Sequence, residues 1–323
     1  MDFRRLGRSK LEVSRICFGT WQFGGEWGAV EREEAKAAVR KALDLGVNFF
    51  DTAQAYGFGE SEELLAEALG DDIRRDDVIV ATKGGLRPTG DGGVERDSSP
   101  DWLRLGVDAS LGHLGVEAVD LYQVHWPDPD TPFEETAGAL AELKGEGKIR
   151  HVGVSNFSAE EMEGFEQILP VETLQPPYHL FRREIEEEVL PWCSEHNVGV
   201  LAYGPLAHGL LSGKIDSGWR PDEDDWRASS DLFQGDRLRE ALEKVEELKR
   251  FADERGWTVA QLAVAWTLAN PAVHVAIVGA RRPDHIDGTA PAAEIELSEA
   301  DLGEIEEIMG RMAPVGGPTP EAA

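Results

Sequence analysis

The feature that most constrains this chain is an eightfold alternation of short apolar runs with amphipathic segments. Apolar runs of strand length fall at residues 16–19, 47–51, 78–83, 121–125, 151–155, 173–175, 198–203 and 275–278. Segments with helical periodicity separate them, at 31–45, 61–69, 99–114, 132–145, 158–169, 183–196, 237–254 and 258–269, and two more follow at 283–289 and 298–312. A strand, a helix and a second strand form a βαβ unit whose strands pair in parallel. Eight units in about 300 residues predict an α/β fold, a closed (β/α)8 TIM barrel. The competitor, an open doubly wound sheet, has fewer strands and a glycine-rich first turn. Here the first turn reads FGTWQFGG, and the one GxG, at Gly57 and Gly59, follows the second strand and lacks the third glycine. Residues 3–6 and 11–14, joined by Gly7-Arg8-Ser9-Lys10, predict an N-terminal β-hairpin. The barrel domain is expected over 1–313, with a flexible Pro/Gly/Ala-rich tail at 314–323. Two long loops, 84–98 and 212–234, have the length of binding loops.

Composition narrows the function classes. No apolar run reaches the length of a membrane span, and the N-terminus MDFRRLGRSK lacks the apolar core of a secretory signal. Cys17 and Cys193 lie far apart and read as reduced, buried thiols, which points to a cytoplasmic protein. No CxxC or histidine cluster predicts a metal. The 62 acidic residues against 32 basic ones give a net charge of −30, which opposes binding to nucleic acid or an anionic membrane. These acids are spread over predicted helix faces, and their mutual repulsion is screened at high ionic strength. That pattern predicts a halophilic protein from a salt-loaded cytoplasm. No apolar patch shows in so acidic a surface, so a homo-oligomer stays open.

The strand ends carry the chemistry. The second apolar run ends on Asp51, and Tyr56 follows in a loop flanked by Gly57 and Gly59; Ser61 then stands as the expected N-cap of a helix. The other runs end in Thr20-Trp21, Thr82-Lys83, His125-Trp126, Ser155-Asn156, Gln175, Tyr203 and Gly279-Ala280-Arg281-Arg282. Each has an ordinary explanation taken singly: an end-of-strand lysine, a satisfied core histidine, a packing ring. A barrel would point all of them at one mouth. A phenol is a poor acid near neutral pH, and a neighbouring ammonium lowers its pKa. A carboxylate would hold that ammonium, and a histidine can hydrogen-bond a carbonyl oxygen. Together these make a general acid for the oxyanion that forms when a carbonyl is reduced. No side chain donates hydride, so a cofactor is implied.

At this point the chain resembles the aldo-keto reductase superfamily. Asp51, Tyr56, Lys83 and His125 match its catalytic tetrad in order. The words GTWQFGG, FDTAQAYGFGESE, LYQVHWPDP, KIRHVGVSNF, LQPPYHLF, AYGPLAHGLLSGK and IVGARRP extend the match over residues 3–312. The branch it is most similar to contains bacterial general-stress reductases and potassium-channel β subunits. The resemblance implies a (β/α)8 barrel that binds NADP(H) in extended form without a Rossmann domain. It implies Tyr56 as general acid, tuned by Lys83 and Asp51, with His125 orienting the carbonyl. Tyr203 would stack on the nicotinamide, whose carboxamide Ser155, Asn156 and Gln175 would hold. Gly204, Pro205, Leu206, Gly209 and Lys214 would lie along the pyrophosphate. Gly279, Arg281 and Arg282 would meet the adenosine 2′-phosphate, with His285 at the adenosine end. Thr20, Trp21 and Trp126 would wall the nicotinamide and a small-molecule carbonyl substrate.

Departures lie at that adenosine end. Gly204 replaces a usual serine, His285 a usual Gln or Arg, and Gly288-Thr289 a usual Glu-Asn pair. The implied function is NADP(H)-dependent reduction of aldehydes or ketones. The alternatives are an NADP-binding, redox-sensing regulatory subunit, as in the channel proteins, and a barrel with a vestigial site. The presence of His125 with the rest of the tetrad favours turnover.

Overall fold

The computed structural model describes residues 1–310 except 26, 28, 29, 91, 92 and 222–224. The expected tail at 314–323, the last two residues of the helix expected at 298–312, and three of the acids in the second long loop therefore lie outside the described residues. An antiparallel hairpin opens the chain, with β1 (Phe3–Arg5) paired to β2 (Glu12–Ser14). The chain then alternates: β3 (Ile16–Gly19), α1 (Arg32–Asp44), β4 (Phe49–Asp51), α2 (Glu60–Leu69), β5 (Ile79–Gly84). A second hairpin, β6 (Leu86–Pro88) with β7 (Val94–Arg96), interrupts before α3 (Pro100–Leu114) and β8 (Val119–Val124). The rest is α4 (Phe133–Gly145), β9 (Ile149–Ser155), α5 (Ala159–Glu166), β10 (Thr173–Gln175), α6 (Val189–Glu195), β11 (Gly199–Tyr203), α7 (Gly235–Glu254), α8 (Val259–Ala269), β12 (Val275–Gly279), α9 (Pro283–Thr289) and α10 (Glu299–Met309).

Eight strands close into a parallel barrel in the order β3-β4-β5-β8-β9-β10-β11-β12. This is the TIM barrel expected from the alternation, with the N-terminal hairpin in place. Two apolar layers follow from the two faces of each strand. Phe18, Phe50, Val80, Tyr122 and Val152 face outward into the core shared with the helices. Cys17, Phe49, Ile79, Ala81, Leu121, Leu201, Val275 and Ile277 fill the interior, and Leu6 and Val13 of the first hairpin join that cluster. Arg8 ties the hairpin to the loop before β11 through its backbone N–H to Asn197 O (2.8 Å). With these links, the first hairpin covers the amino-terminal end of the barrel, so access is at the other end.

Several elements differ from expectation. Ser61 does not cap α2; Gly59 holds that position, and Ser61 is buried inside the helix, hydrogen-bonded to Thr20 and Thr52. The helix expected over 183–196 is split into a 3-10 turn, Glu184–Glu186, and α6. Pro191 lacks an N–H and clashes with the carbonyl four residues back, so it is tolerated only in a first turn and α6 starts at 189. The loop at 84–98 contains the β6–β7 hairpin, and the loop at 212–234 contains two 3-10 turns, Trp226–Ser229 and Asp231–Phe233.

Candidate active site

The carboxyl ends of the barrel strands surround one cavity of about 430 Å³, within the size range of small-molecule sites. At its floor Lys83, the fifth residue of β5, is 1% exposed. Its ammonium donates to Asp51 Oδ1 at 2.6 Å, to the Thr52 carbonyl at 2.8 Å and to the Tyr56 hydroxyl at 3.3 Å. A buried ammonium must be paired and hydrogen-bonded, and all three partners come from the β4 segment beside it. Backbone bonds set that segment. Thr52 N–H donates to Ala81 O and Gln54 N–H to Lys83 O, which carries the sheet pairing past the end of β4; Tyr56 N–H then turns back to Ala53 O. Gly24 makes room for the tyrosine, since a Cβ there would sit 2.8 Å from Tyr56 Cα.

Asp51 is held from both sides. Its Oδ2 accepts from Gln175 Nε2 at 2.8 Å and from Gln123 Nε2 at 3.4 Å. His125 lies one residue beyond β8, its backbone N–H bound to Gly84 O, and its ring meets Tyr56 edge-on with centroids 5.7 Å apart. Burial, and after it the Lys83 charge, hold the His125 imidazole well below its ordinary pKa, so it is neutral at neutral pH. Trp21 stacks on Tyr56 on one side and on Trp226 on the other (centroids 6.4 and 5.9 Å). The resulting aromatic column extends from the phenol toward the second long loop.

From this floor the cavity runs along β9, β10 and β11 to α9. Tyr203 is fixed by its hydroxyl on Asn156 Oδ1 (3.0 Å), while Asn156 Nδ2 donates to His125 O and Ser155 Oγ. Asn156 has φ +64, a left-handed conformation that Asn tolerates better than most residues. Of the residues expected at the site, Trp21, Asp51, Tyr56, His125, Ser155, Asn156, Gln175, Tyr203, Gly204, Pro205, Leu206, Gly209, Lys214, Gly279, Arg281 and His285 line the cavity. Three expected wall or contact residues, Thr20, Trp126 and Arg282, are placed elsewhere, while Lys83 holds Asp51 and Tyr56 as expected. Thr20 is fully buried, its hydroxyl bonded to Ser61 Oγ and Asp51 O, so it supports the floor from behind. Trp126 sits under the Arg96 guanidinium of β7 (5.0 Å), on the hairpin side. Arg282 is drawn to Asp284 by two contacts of 3.2 Å. Lys83 lies beneath the cavity wall.

Sequence reasoning missed Gln22, Trp27, His208, Arg227 and Asp284, which also line the cavity. Gln22 packs so closely on Gly279 that a Cβ there would lie 2.1 Å from its Nε2. Arg227 donates to the His208 carbonyl, pairs with Asp225, and lies over the rings of Trp27 and Trp219 at 5.0 and 4.8 Å. Arg281 donates to the Trp27 carbonyl. His208 was legible only as part of the word AYGPLAHGLLSGK. Arg227 sits in a loop with no periodicity to place it.

The cavity therefore joins a buried Asp–Lys–Tyr–His floor to an aromatic face, then to carboxamide-type donors and acceptors, then to cations. These features fit an extended nicotinamide dinucleotide. Among the described residues no group of three or more His, Cys, Asp or Glu side chains could hold a metal, and no helix is long and apolar enough to cross a membrane. Comparison with known proteins gives the same direction. The family model described as Aldo/keto reductase family matches residues 15–309. The aldo-keto reductase YhdN of Bacillus subtilis is 40% identical over 311 residues, covering 96% of this chain and 94% of that protein. The NADH-specific methylglyoxal reductase of Escherichia coli is 32% identical over 318 residues (94% and 97% covered). A probable voltage-gated potassium channel subunit beta of Arabidopsis thaliana is 34% identical over 326 residues (96% and 97%). Among solved structures, the glycerol dehydrogenase of Gluconobacter oxydans superposes with a TM-score of 0.88 at 38% identity, covering 98% of this chain and 99% of that one.

Proposed function

The chain belongs to the aldo/keto reductase family, and on that premise we propose that it is an NADP(H)-dependent reductase converting aldehydes or ketones to alcohols, with Tyr56 as general acid. The family's oxidoreductases act on carbonyls with nicotinamide cofactors. The observation that carries the reading is the buried Lys83 ammonium shared between Asp51 and the Tyr56 oxygen. When bound, the cofactor supplies the hydride. Tyr56 gives its proton to the carbonyl oxygen, and Lys83 stabilises the phenolate left behind. Asp51 keeps the ammonium in place. Neutral His125 hydrogen-bonds the same oxygen and orients the carbonyl. Tyr203 is the stacking face for the nicotinamide, and Ser155, Asn156 and Gln175 hold its carboxamide. Gly204, Pro205, Leu206, Gly209 and Lys214 take the pyrophosphate, and Arg281 and His285 the adenosine end. Arg282 reaches a 2′-phosphate only by leaving Asp284.

Tryptophan-fluorescence titration with NADPH and then NADH tests the cofactor, followed by a carbonyl screen with Tyr56→Phe as control. Tight NADPH binding with weak NADH binding supports the assignment; equal affinities remove the NADP preference. The channel-subunit relative supports a second reading, a redox-sensing regulatory subunit, and cofactor binding without turnover of any carbonyl would select it. The net charge of −30 supports a salt-rich cytoplasm as the working environment. Thermal melts should then rise as KCl approaches molar levels, and a fall would sink that part of the reading.

A further inference from the structure

Asp51 Oδ1 takes the Lys83 ammonium, and Oδ2 takes two side-chain amides, Gln175 from the end of β10 and Gln123 from β8. An ionised carboxylate only accepts hydrogen bonds, so each amide must turn its nitrogen toward Asp51. For Gln175, which lines the cavity, the oxygen is then the head left to face the ligand. The two ends of one planar group therefore touch two different things, the Asp51–Lys83–Tyr56 chain and whatever occupies the nicotinamide end.

We propose that Gln175 is a positioning residue that couples occupancy of the nicotinamide end to the acidity of Tyr56, acting through Asp51 and Lys83, with Gln123 as a weaker second support. The inference rests on the reductase reading for the identity of the ligand. A donor placed against the Gln175 oxygen polarises the amide and strengthens its N–H bond to Asp51, as linked hydrogen bonds reinforce one another. Charge drawn into that bond is charge no longer neutralising Lys83. The field of the ammonium at the Tyr56 oxygen rises, and the phenol gives up its proton more readily. The ionisable groups around Tyr56 are Lys83 from β5, Asp51 from β4, His125 beyond β8, Cys17 of β3 in the interior layer, Glu60 and Glu62 of the following helix, and His208 across Trp21. Glu62 is already bound to Thr82 and His113. Asp51 and Lys83 are the charged pair within hydrogen-bonding reach of the path.

The test reads the phenol directly. Tyr56 is one of four tyrosines, and burial pushes Tyr122 and Tyr178 to titrate late, so ultraviolet difference titration against Tyr56→Phe isolates its midpoint. Gln175→Met should raise that midpoint by about 0.5–1 pH unit, and Gln123→Met by less. In an Asp51→Asn background Gln175→Met should move it no further. For the wild type, NADPH affinity measured by tryptophan quenching should tighten as pH rises through the midpoint, by reciprocity; in Gln175→Met the affinity should be weaker and flat with pH. An unmoved midpoint with weakened NADPH binding would reduce Gln175 to a cofactor contact. An equal shift in the Asp51→Asn background would show that the effect does not pass through Asp51. Should Gln175→Met fail to fold, Gln123→Met carries the same measurement. A wild type that reduces no carbonyl leaves the phenol titration readable, so failure of the reductase reading and failure of the coupling are separate results.

Discussion

The two ends of the cavity are built on opposite principles. At the end proposed for the nicotinamide the charged groups are buried and locked to partners: Lys83 and Asp51 are 1% and 3% exposed, and His125 is neutral. At the end proposed for the adenosine, Arg282 and Asp284 are exposed and paired with each other, their side chains 47% and 62% exposed. A buried pair is held by the cost of leaving either charge alone in a low-dielectric site. An exposed pair is worth little and rearranges readily. On the proposed function, the groups for proton transfer are therefore held in place before ligand binds, whereas the choice of dinucleotide would rest on contacts that ligand binding must remake.

Four measurements sharpen or break this contrast, in descending order of expected effect. Lys83→Met leaves Asp51 buried without its cation, and should cost about 3–5 kcal/mol of stability in urea unfolding together with the activity; wild-type stability would break the claim that this pair organises the floor. Tyr56→Phe should lower carbonyl reduction by about 10³-fold while leaving the fold and NADPH affinity intact, since it removes the proton and keeps the ring. Acid sensitivity comes next. Burial holds His125, His179 and His208 below their ordinary pKa, His208 at about 3. The unfolded chain binds protons below about pH 6.5 that the native state refuses. Stability should therefore fall as pH drops from about 6.5 toward 3, and His208→Phe should flatten part of that loss in urea midpoints measured across the window. The smallest effect is at the exposed end. Arg282→Ala should weaken NADPH binding by no more than about fivefold, because Asp284 already occupies the guanidinium, and should leave NADH unchanged; a hundredfold loss would mean that the adenosine end is preorganised like the floor.

Legibility followed the same divide. Asp51, Lys83 and His125 could be read because a strand end has one defined place in a barrel, and all strand ends share one mouth. Tyr56, in a loop past the strand end, became a candidate through the resemblance to the family's tetrad and not through its spacing alone. Thr20 and Ser61 could not be read correctly. Each had a plausible local role, as wall and as helix cap, yet both hydroxyls turn inward to each other across 41 residues of chain. Trp126 lies elsewhere than expected because its partner, Arg96, belongs to a hairpin inside the stretch read as a long binding loop. Arg282 stands beside Arg281 in sequence; it turns to Asp284, two residues on, while Arg281 reaches Trp27, which nothing local indicates.

By itself the sequence determined the alternation that closes into a barrel, the acidic character of the surface, and the types of chemical group delivered to the mouth. Those properties depend on periodicity and composition, which are local. Only the tertiary structure decided which groups pair. The bond from Gln175 to Asp51 spans 124 residues, the Lys83 contacts join two neighbouring strands, and the turn of Arg281 depends on the distant Trp27 carbonyl that the fold brings beside it. Partners distant in the chain, such as Gln175 on β10 and Asp51 on β4, meet inside the barrel that closes when the last strand, β12, pairs with the first, β3.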